Sequence, residues 1–287
     1  MENVQIGVIG GSGFYEIEGM SDIEEIRITT PFGDPSDTVV VGTLEGRRVA
    51  FLPRHGRGHV VLPSGINFRA NVFAMKTLGV EYLISVSAIG SLREEMAPRH
   101  FVIPNQIFDH TKRRVGTFFD EGIVVHVGMA DPFCGGLGTL VADAAEQVGA
   151  TVHRGAMYIC MEGPQFSTKG ESGLYRNWGM DVIGMTAMPE AKLAREAEMC
   201  YAVLGAVTDY DCWHPEHDSV TVQMLLDNLR SNSEAAKRTL KALLPMIPAE
   251  RTCSCKDALA TAVVSQPDAV SKEVREKLKP LIGRYFS

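Results

Sequence analysis

The sequence predicts an α/β fold, a mostly parallel β-sheet covered by helices. Short apolar runs rich in β-branched residues alternate with longer segments of helical period. No internal repeat or low-complexity tract breaks that alternation, and no Pro/Gly/Ser-rich linker or compositional shift divides it. Residues 1–287 are therefore expected to form a single domain, with a C-terminal helical segment, about 220–287, packed on it.

Strands are expected at 4–10 (VQIGVIG), 38–44 (TVVVGTL), 47–54 (RRVAFLPR), 82–90 (YLISVSAIG), 100–108 (HFVIPNQIF), 151–161 (TVHRGAMYICM), 181–186 (DVIGMT) and 200–209 (CYAVLGAVTD). Each is a short run dominated by Val, Ile and other residues that suit a buried pleated surface. Between them, 67–79 (NFRANVFAMKTLG), 138–149 (GTLVADAAEQVG) and 189–198 (PEAKLAREAE) carry apolar residues at helical spacing, and the C-terminal third reads as two or three further helices.

Length and composition narrow the function. A chain of 287 residues with 45% hydrophobic content can bury a full core. No run approaches the length of a membrane span, and the acidic start MENVQIGVIGG enters a strand at once, unlike a signal or transit peptide, so a cytoplasmic location is expected. A net charge of −7 argues against nucleic acid as the main partner and leaves room for a local basic site that takes a small anion.

In sheets of this kind ligands bind beyond the strand ends, where the chemistry-bearing residues gather. GGSGF (10–14) offers glycines and a hydroxyl, Ser12, that let backbone N–H groups approach an anion. It does not match the dinucleotide fingerprint, which would need a glycine at Glu16, and it lacks the Lys of a P-loop. LPRHGRGH (52–59) concentrates Arg54, His55, Arg57 and His59 in an acidic protein, and Arg presents a planar fork of donors suited to phosphate. Ser87 and Ala88 follow in the next strand, and Thr186 ends another. Together these residues are what a phosphate site assembled from several loops needs; the plainer alternatives are an ordinary tight turn at 10–14 and a solvated basic turn at 52–59. In TDYDCW (208–213), Asp209 and Asp211 stand two apart at a strand end, so an extended backbone would turn both to one face and Tyr210 to the other. The plainer alternative is a solvated turn.

The segments GVIGGSGFY, TTPFGDPSD, RHGRGHVVLPSGINFRAN, SAIGSLREEMAP, DHTKRRVGTFF, MADPFC, EGPQFST, GMTAMPEAKLARE and TDYDCW occur in that order and closely resemble the 5′-methylthioadenosine phosphorylases, within the purine nucleoside phosphorylase family. The resemblance covers about residues 3 to 230. It implies the three-layer nucleoside phosphorylase fold, a mixed central β-sheet flanked by helices. It also implies reversible phosphorolysis of methylthioadenosine to adenine and 5-methylthioribose 1-phosphate, with inorganic phosphate as co-substrate and no metal or organic cofactor. A homo-oligomer, trimer or hexamer, is implied as well.

The same resemblance places phosphate on Ser12, Arg54, His55, Ser87, Ala88 and Thr186, the ribose on Met185, and the base on Phe166 and Ser167. Asp209, Tyr210 and Asp211 are counted with the substrate contacts. Val222 is expected over the 5′ substituent, completed by His126 of a neighbouring subunit. Adenine offers an acceptor at N7 and a donor at its amino group, so a protonated carboxyl can serve both; Asp209 is expected as the general acid, with Asp211 tuning or orienting it. A phosphorylase for 6-oxopurine nucleosides or methylthioinosine is the alternative enzyme, and a non-catalytic nucleoside-binding protein the alternative from another class.

The cysteines are Cys134, Cys160, Cys200, Cys212, Cys253 and Cys255. The pair in CSC (253–255) lacks the C-x2-C spacing of common zinc sites and no second close Cys/His pair accompanies it, so zinc is not expected. Free thiols are the ordinary state in a mesophilic cytosol. Similar C-x-C pairs in thermophilic relatives make structural disulfides a second possibility, with the pairing open.

Overall fold

The computed structural model describes residues 4–11, 17–215 and 222–286, with the backbone alone described for 222–227. In chain order the described elements are β1 (Ile6–Gly10), β2 (Ser21–Ile26), β3 (Val39–Leu44), β4 (Arg47–Pro53), α1 (Phe68–Thr77), β5 (Tyr82–Ser91), β6 (Phe101–His110), α2 (Gly135–Gln147), β7 (Val152–Met161), α3 (Lys169–Asn177), β8 (Val182–Gly184), α4 (Ala187–Glu196), β9 (Cys200–Asp209), α5 (Val222–Leu243), α6 (Lys272–Lys277) and α7 (Lys279–Ile282), with single 3₁₀ turns between some of them.

All nine strands share one mixed sheet in the order β2-β3-β4-β1-β5-β8-β7-β6-β9, and β9 also pairs with β5. The second pairing closes β5, β8, β7, β6 and β9 into a ring, from which β1, β4, β3 and β2 extend as an open wing. The closure needs tight approaches. A Cβ added at Gly205 of β9 would lie 2.6 Å from Ile89 Cδ1 and 3.1 Å from the Val102 carbonyl, so only glycine lets β9 nest between β5 and β6.

Helices cover both faces. Phe73 and Met75 of α1, Leu193 of α4, and Leu281 and Ile282 of α7 belong to one buried cluster, which brings the C-terminal segment onto the sheet. Leu137 and Val141 of α2 and Leu240 and Leu243 of α5 pack with Val8, Phe51, Ile84 and Leu204 in another. Each such side chain contributes about 1.5–3 kcal/mol on full burial. The first turn of α1 is closed by Asn67, whose side chain accepts from Ala70 N–H at 3.1 Å.

Two elements were not foreseen from sequence. Strand β2, SDIEEI, is almost wholly exposed at the sheet edge, so its acidic residues carry no apolar alternation, and its strand character comes from antiparallel pairing with β3. Helix α3, KGESGLYRN, contains two glycines that weaken its propensity, but Thr168 and Glu171 form a reciprocal capping box that starts it. The expected strand 181–186 is shorter, at Val182–Gly184, because the following residues open α4.

Candidate active site

Strands β1, β4, β5 and β9 run parallel through the pairs β1–β4, β1–β5 and β5–β9, so their C-terminal ends open on one edge. A cavity of about 610 Å³ lies there. Its wall includes Gly11 after β1, Arg54 and His55 after β4, Val86 to Gly90 of β5, Ile183 to Thr186 around the end of β8, and Thr208, Asp209 and Asp211 at the end of β9. Helix α5 covers one side with Leu229 to Glu234. It is held to β9 by Asn228 Nδ2, which donates to the Thr208 carbonyl at 2.7 Å, and Asn232 Nδ2, which donates to that of Val207 at 2.9 Å.

Thr186 reaches the site by a different route from the parallel strand ends. β8 is antiparallel to β5, with Gly90 opposite Ile183, and continuing that register brings residue 186 back to residue 87. The two hydroxyls meet, Ser87 Oγ to Thr186 Oγ1 at 3.3 Å, both buried. Ala88 beside them is exposed to the cavity although it lies in a central strand, so its backbone is open to a ligand.

Arg54 is 2% exposed and held on several sides. Its Nε donates to Glu190 Oε2 at 3.0 Å and its Nη2 to Glu190 Oε1, Ser85 Oγ and the Ile9 carbonyl. Nη1 donates to the Val86 carbonyl at 3.2 Å, and its other hydrogen has no partner among the described residues. Burial opposes the charge, but the ion pair and hydrogen bonds with Glu190 outweigh it and hold the Arg54 pKa above its ordinary value. His55 behaves oppositely. Burial pushes its imidazole down to about 4, with the Arg54 charge adding to the effect against the Val61 hydrogen bond. The contact of His55 Nδ1 with the Val61 carbonyl at 2.8 Å puts the proton on Nδ1, because a carbonyl can only accept.

At the end of β9 the register slips by one residue: Ile89 faces Val207 and Gly90 faces Asp209, leaving Thr208 as the extra residue of a bulge. Thr208 Oγ1 donates to Asp209 Oδ2 at 2.6 Å, and the Asp211 N–H donates to Asp209 Oδ1 at 2.8 Å. Asp211 has a left-handed backbone, φ 52°. The two acids therefore share the cavity wall through a bulge and a side-chain-closed turn, not through strand alternation. Gly90 leaves them room, since a Cβ there would lie 3.0 Å from Asp209 Oδ1. Burial pushes the Asp209 pKa up, with the Asp211 charge adding to it, over the opposing hydrogen bonds from Thr208 and Asp211. Asp211 is raised by burial against the pull of the Ser172 and Ser167 hydroxyls.

Of the residues singled out from sequence, Arg54, His55, Ser87, Ala88, Phe166, Met185, Thr186, Asp209 and Asp211 line this one cavity. Tyr210 does not: its hydroxyl donates to the Glu94 carbonyl at 3.1 Å and its ring stacks on His214, so its side chain braces the acid-bearing turn from outside the cavity. Ser167 sits behind the wall, where its carbonyl is met by Cys212 Sγ. His126 is exposed and lines a separate cleft with Val124, Lys192 and Ser265. Ser12 lies outside the described residues, as does the side chain of Val222, which opens α5.

Two positioning residues escaped the sequence reading. Glu190, fully buried, also accepts from Tyr201 Oη at 2.8 Å; its only signal was a carboxylate within the apolar stretch MTAMPEAKLA. Arg114 donates to the carbonyls of Met185 and Met188, each at 2.6 Å, and of Glu162 at 2.7 Å, tying the Met185 turn to the loop that carries Phe166. That loop passes so close that a Cβ at Gly163, φ 65°, would lie 2.6 Å from Met185 Sδ. The thiols are free, one of the two states considered from sequence, but four of them gather where the sequence showed only one pair. Cys253 and Cys255 do have a second pair beside them, Cys134 and Cys200, supplied by distant parts of the chain, and all six cysteines are free.

A cavity joining an arginine and two hydroxyls at strand ends to paired acids on this sheet defines a nucleoside phosphorylase class of site. The chain belongs to the Phosphorylase superfamily, whose family model matches residues 5–245. It is 57% identical to an S-methyl-5′-thioadenosine phosphorylase of Koribacter versatilis, over 98% of this chain and 97% of the relative. A crystal structure of a methylthioadenosine phosphorylase from an antarctic soil metagenomic library superposes with a TM-score of 0.93 at 45% identity, covering 98% of this chain and 99% of that one. A methylthioadenosine phosphorylase from Schistosoma mansoni, solved in complex with adenine, gives a TM-score of 0.84 at 34% identity, with 91% and 99% covered.

Proposed function

We propose that the chain catalyses the reversible phosphorolysis of S-methyl-5′-thioadenosine to adenine and 5-methylthioribose 1-phosphate. The observation that carries this reading is one cavity that joins Arg54, Ser87 and Thr186 to Asp209 and Asp211, in a chain 57% identical to a relative of that name. From Ser87 to Gly90, the neighbour of Asp209, β5 advances about 10 Å at 3.3 Å per residue, a span suited to phosphate, ribose and purine laid end to end.

Phosphate held by the Arg54 guanidinium, His55, the Ser87 and Thr186 hydroxyls and the open backbone at Ala88 would present an oxygen to the ribosyl anomeric carbon. The bond from that carbon to N9 breaks as the bond to phosphate oxygen forms, and adenine leaves with a proton delivered at N7. Asp209 is placed to deliver it, with Asp211 beside it. The bound phosphate charge offsets the positive charge that develops on the ribose, and positioning lowers the entropic barrier. Phosphate is itself the nucleophile, so this chemistry calls for no metal or organic cofactor at the reacting atoms. Phe166 lies along the base and Met185 against the ribose.

His126 lies in a different cleft of the same chain, and its contact with the 5′ substituent would come from a neighbouring subunit of a trimer or hexamer. Among the described residues no helix is long and apolar enough to cross a membrane. The deciding assay is adenine release from methylthioadenosine with and without phosphate. Strict phosphate dependence with formation of the sugar phosphate is expected; release of adenine without phosphate, or none at all, would overturn the reading.

A further inference from the structure

The four thiols of Cys134, Cys200, Cys253 and Cys255 gather from three separate parts of the fold. Cys134 precedes α2, Cys200 opens β9, and Cys253 and Cys255 flank Ser254 in a 3₁₀ turn at Ser254–Asp257. Their sulfur atoms all lie within 4.8 Å of one another, and Cys134, Cys200 and Cys255 are buried. Sulfurs at about 2.3 Å from a tetrahedral zinc ion stand about 3.8 Å apart, so a small adjustment of side chains would bring every pair to that edge length.

We propose that these four cysteines form a closed four-thiolate site for zinc, with a structural role. Mutual approach of all four sulfurs is what a single tetrahedral centre requires. Two disulfides would need only approach within each pair, to about 2.05 Å, and the Cys200 and Cys253 sulfurs stand 3.2 Å apart. Four thiolates around a divalent ion leave a net negative charge, and Arg195 is placed to offset it, its Nη1 being 3.8 Å from Cys255 Sγ. None of the four cysteines lines the active-site cavity. Cys200 and Asp209 are the first and last residues of β9, about 30 Å apart along an extended strand. A fourfold-coordinated ion there has no open position for substrate; it would pin the C-terminal segment to the starts of α2 and β9.

The test uses the untagged full chain, purified with reductant and without chelator. Metal analysis should find about one zinc per chain. Exchange with cobalt should give the intense visible bands of tetrahedral cobalt and a near-ultraviolet thiolate charge-transfer band. The double variant Cys253→Ser, Cys255→Ser should lose the metal and melt at lower temperature, while kcat and KM at room temperature stay near those of the unaltered chain. If that variant does not fold, zinc content and the cobalt spectrum of the unaltered chain still decide. Absence of stoichiometric zinc, with either all six thiols free or only two left free by disulfide formation, would overturn the proposal.

Discussion

The two ends of the cavity handle protons in opposite ways for the same physical reason. At the β9 end, burial raises the Asp209 and Asp211 pKa values, so the acids tend to keep their protons. At the β4 end, burial lowers the His55 pKa to about 4, so the imidazole sheds its proton. Low polarity penalises charge of either sign, so burial moves each group towards its neutral form. Arg54 escapes because Glu190 lies against it, fully buried and bidentate. The cavity thus sets the Arg54 guanidinium, its charge sustained by Glu190, at one end and acids whose protonated forms burial favours at the other.

The largest expected effect of breaking this contrast is at the acid end. Asp209→Asn removes the transferable proton and should lower kcat on methylthioadenosine about a hundredfold to ten-thousandfold, the usual contribution of a general acid. The protonated form is the active one, so activity of the unaltered enzyme should fall as pH rises through the raised Asp209 pKa, and that alkaline limb should vanish in the variant. The amide can also donate to a 6-oxo group, so the rate on inosine relative to methylthioadenosine should rise. Near-normal phosphorolysis by the variant would make Asp209 a turn residue without a role in chemistry.

The charge at the other end is tested through its partner. Glu190→Gln keeps the shape but leaves Arg54 buried without a counter-charge, which should cost about 3–5 kcal/mol of stability. Denaturant unfolding measures this directly, and a loss below about 1 kcal/mol, the range of exposed pairs, would show that the Arg54 charge is not sustained by Glu190. Arg54→Ala suffers from the same coupling, because it would strand the Glu190 carboxylate, so lost phosphate binding in that variant means little without a check of folding.

How much of this was legible in the sequence follows from how local each cause is. The alternation of runs such as YLISVSAIG with NFRANVFAMKTLG marks strands and helices because apolar spacing is a property of neighbouring residues. The exposed edge strand β2 has no such spacing, and its pairing partner lies elsewhere in the chain. In the site, Arg54, His55, Ser87, Thr186 and the two acids stood out as polar groups at strand ends. The strand-alternation reason for placing Asp209 and Asp211 together did not survive, because the bulge at Thr208 and the left-handed Asp211 depend on pairing with β5. Glu190, Arg114 and the thiol cluster were hidden for a related reason: each acts through partners far away in sequence.

The smallest of these effects sharpens the contrast most, because it concerns a single proton at the phosphate end. With its proton on Nδ1 and donated to Val61, neutral His55 turns only a lone pair outward at Nε2. Inorganic phosphate keeps one hydrogen as its dianion, so its P–OH can donate to Nε2 while its other oxygens accept from Arg54 and the two hydroxyls. The contact needs no further proton, and the complex binds no more protons than its separated parts at mildly alkaline pH. Calorimetric titration of phosphate there, in buffers of different ionisation enthalpy, should give heats that do not vary with buffer. His55→Phe removes the Nε2 acceptor and should weaken phosphate binding severalfold, the worth of one hydrogen bond, about 0.5–1.5 kcal/mol. Proton uptake in the unaltered chain would mean that His55 meets phosphate as imidazolium instead, and an unchanged affinity in His55→Phe would mean that phosphate does not meet the ring, the anion being held by Arg54, the two hydroxyls and the backbone alone.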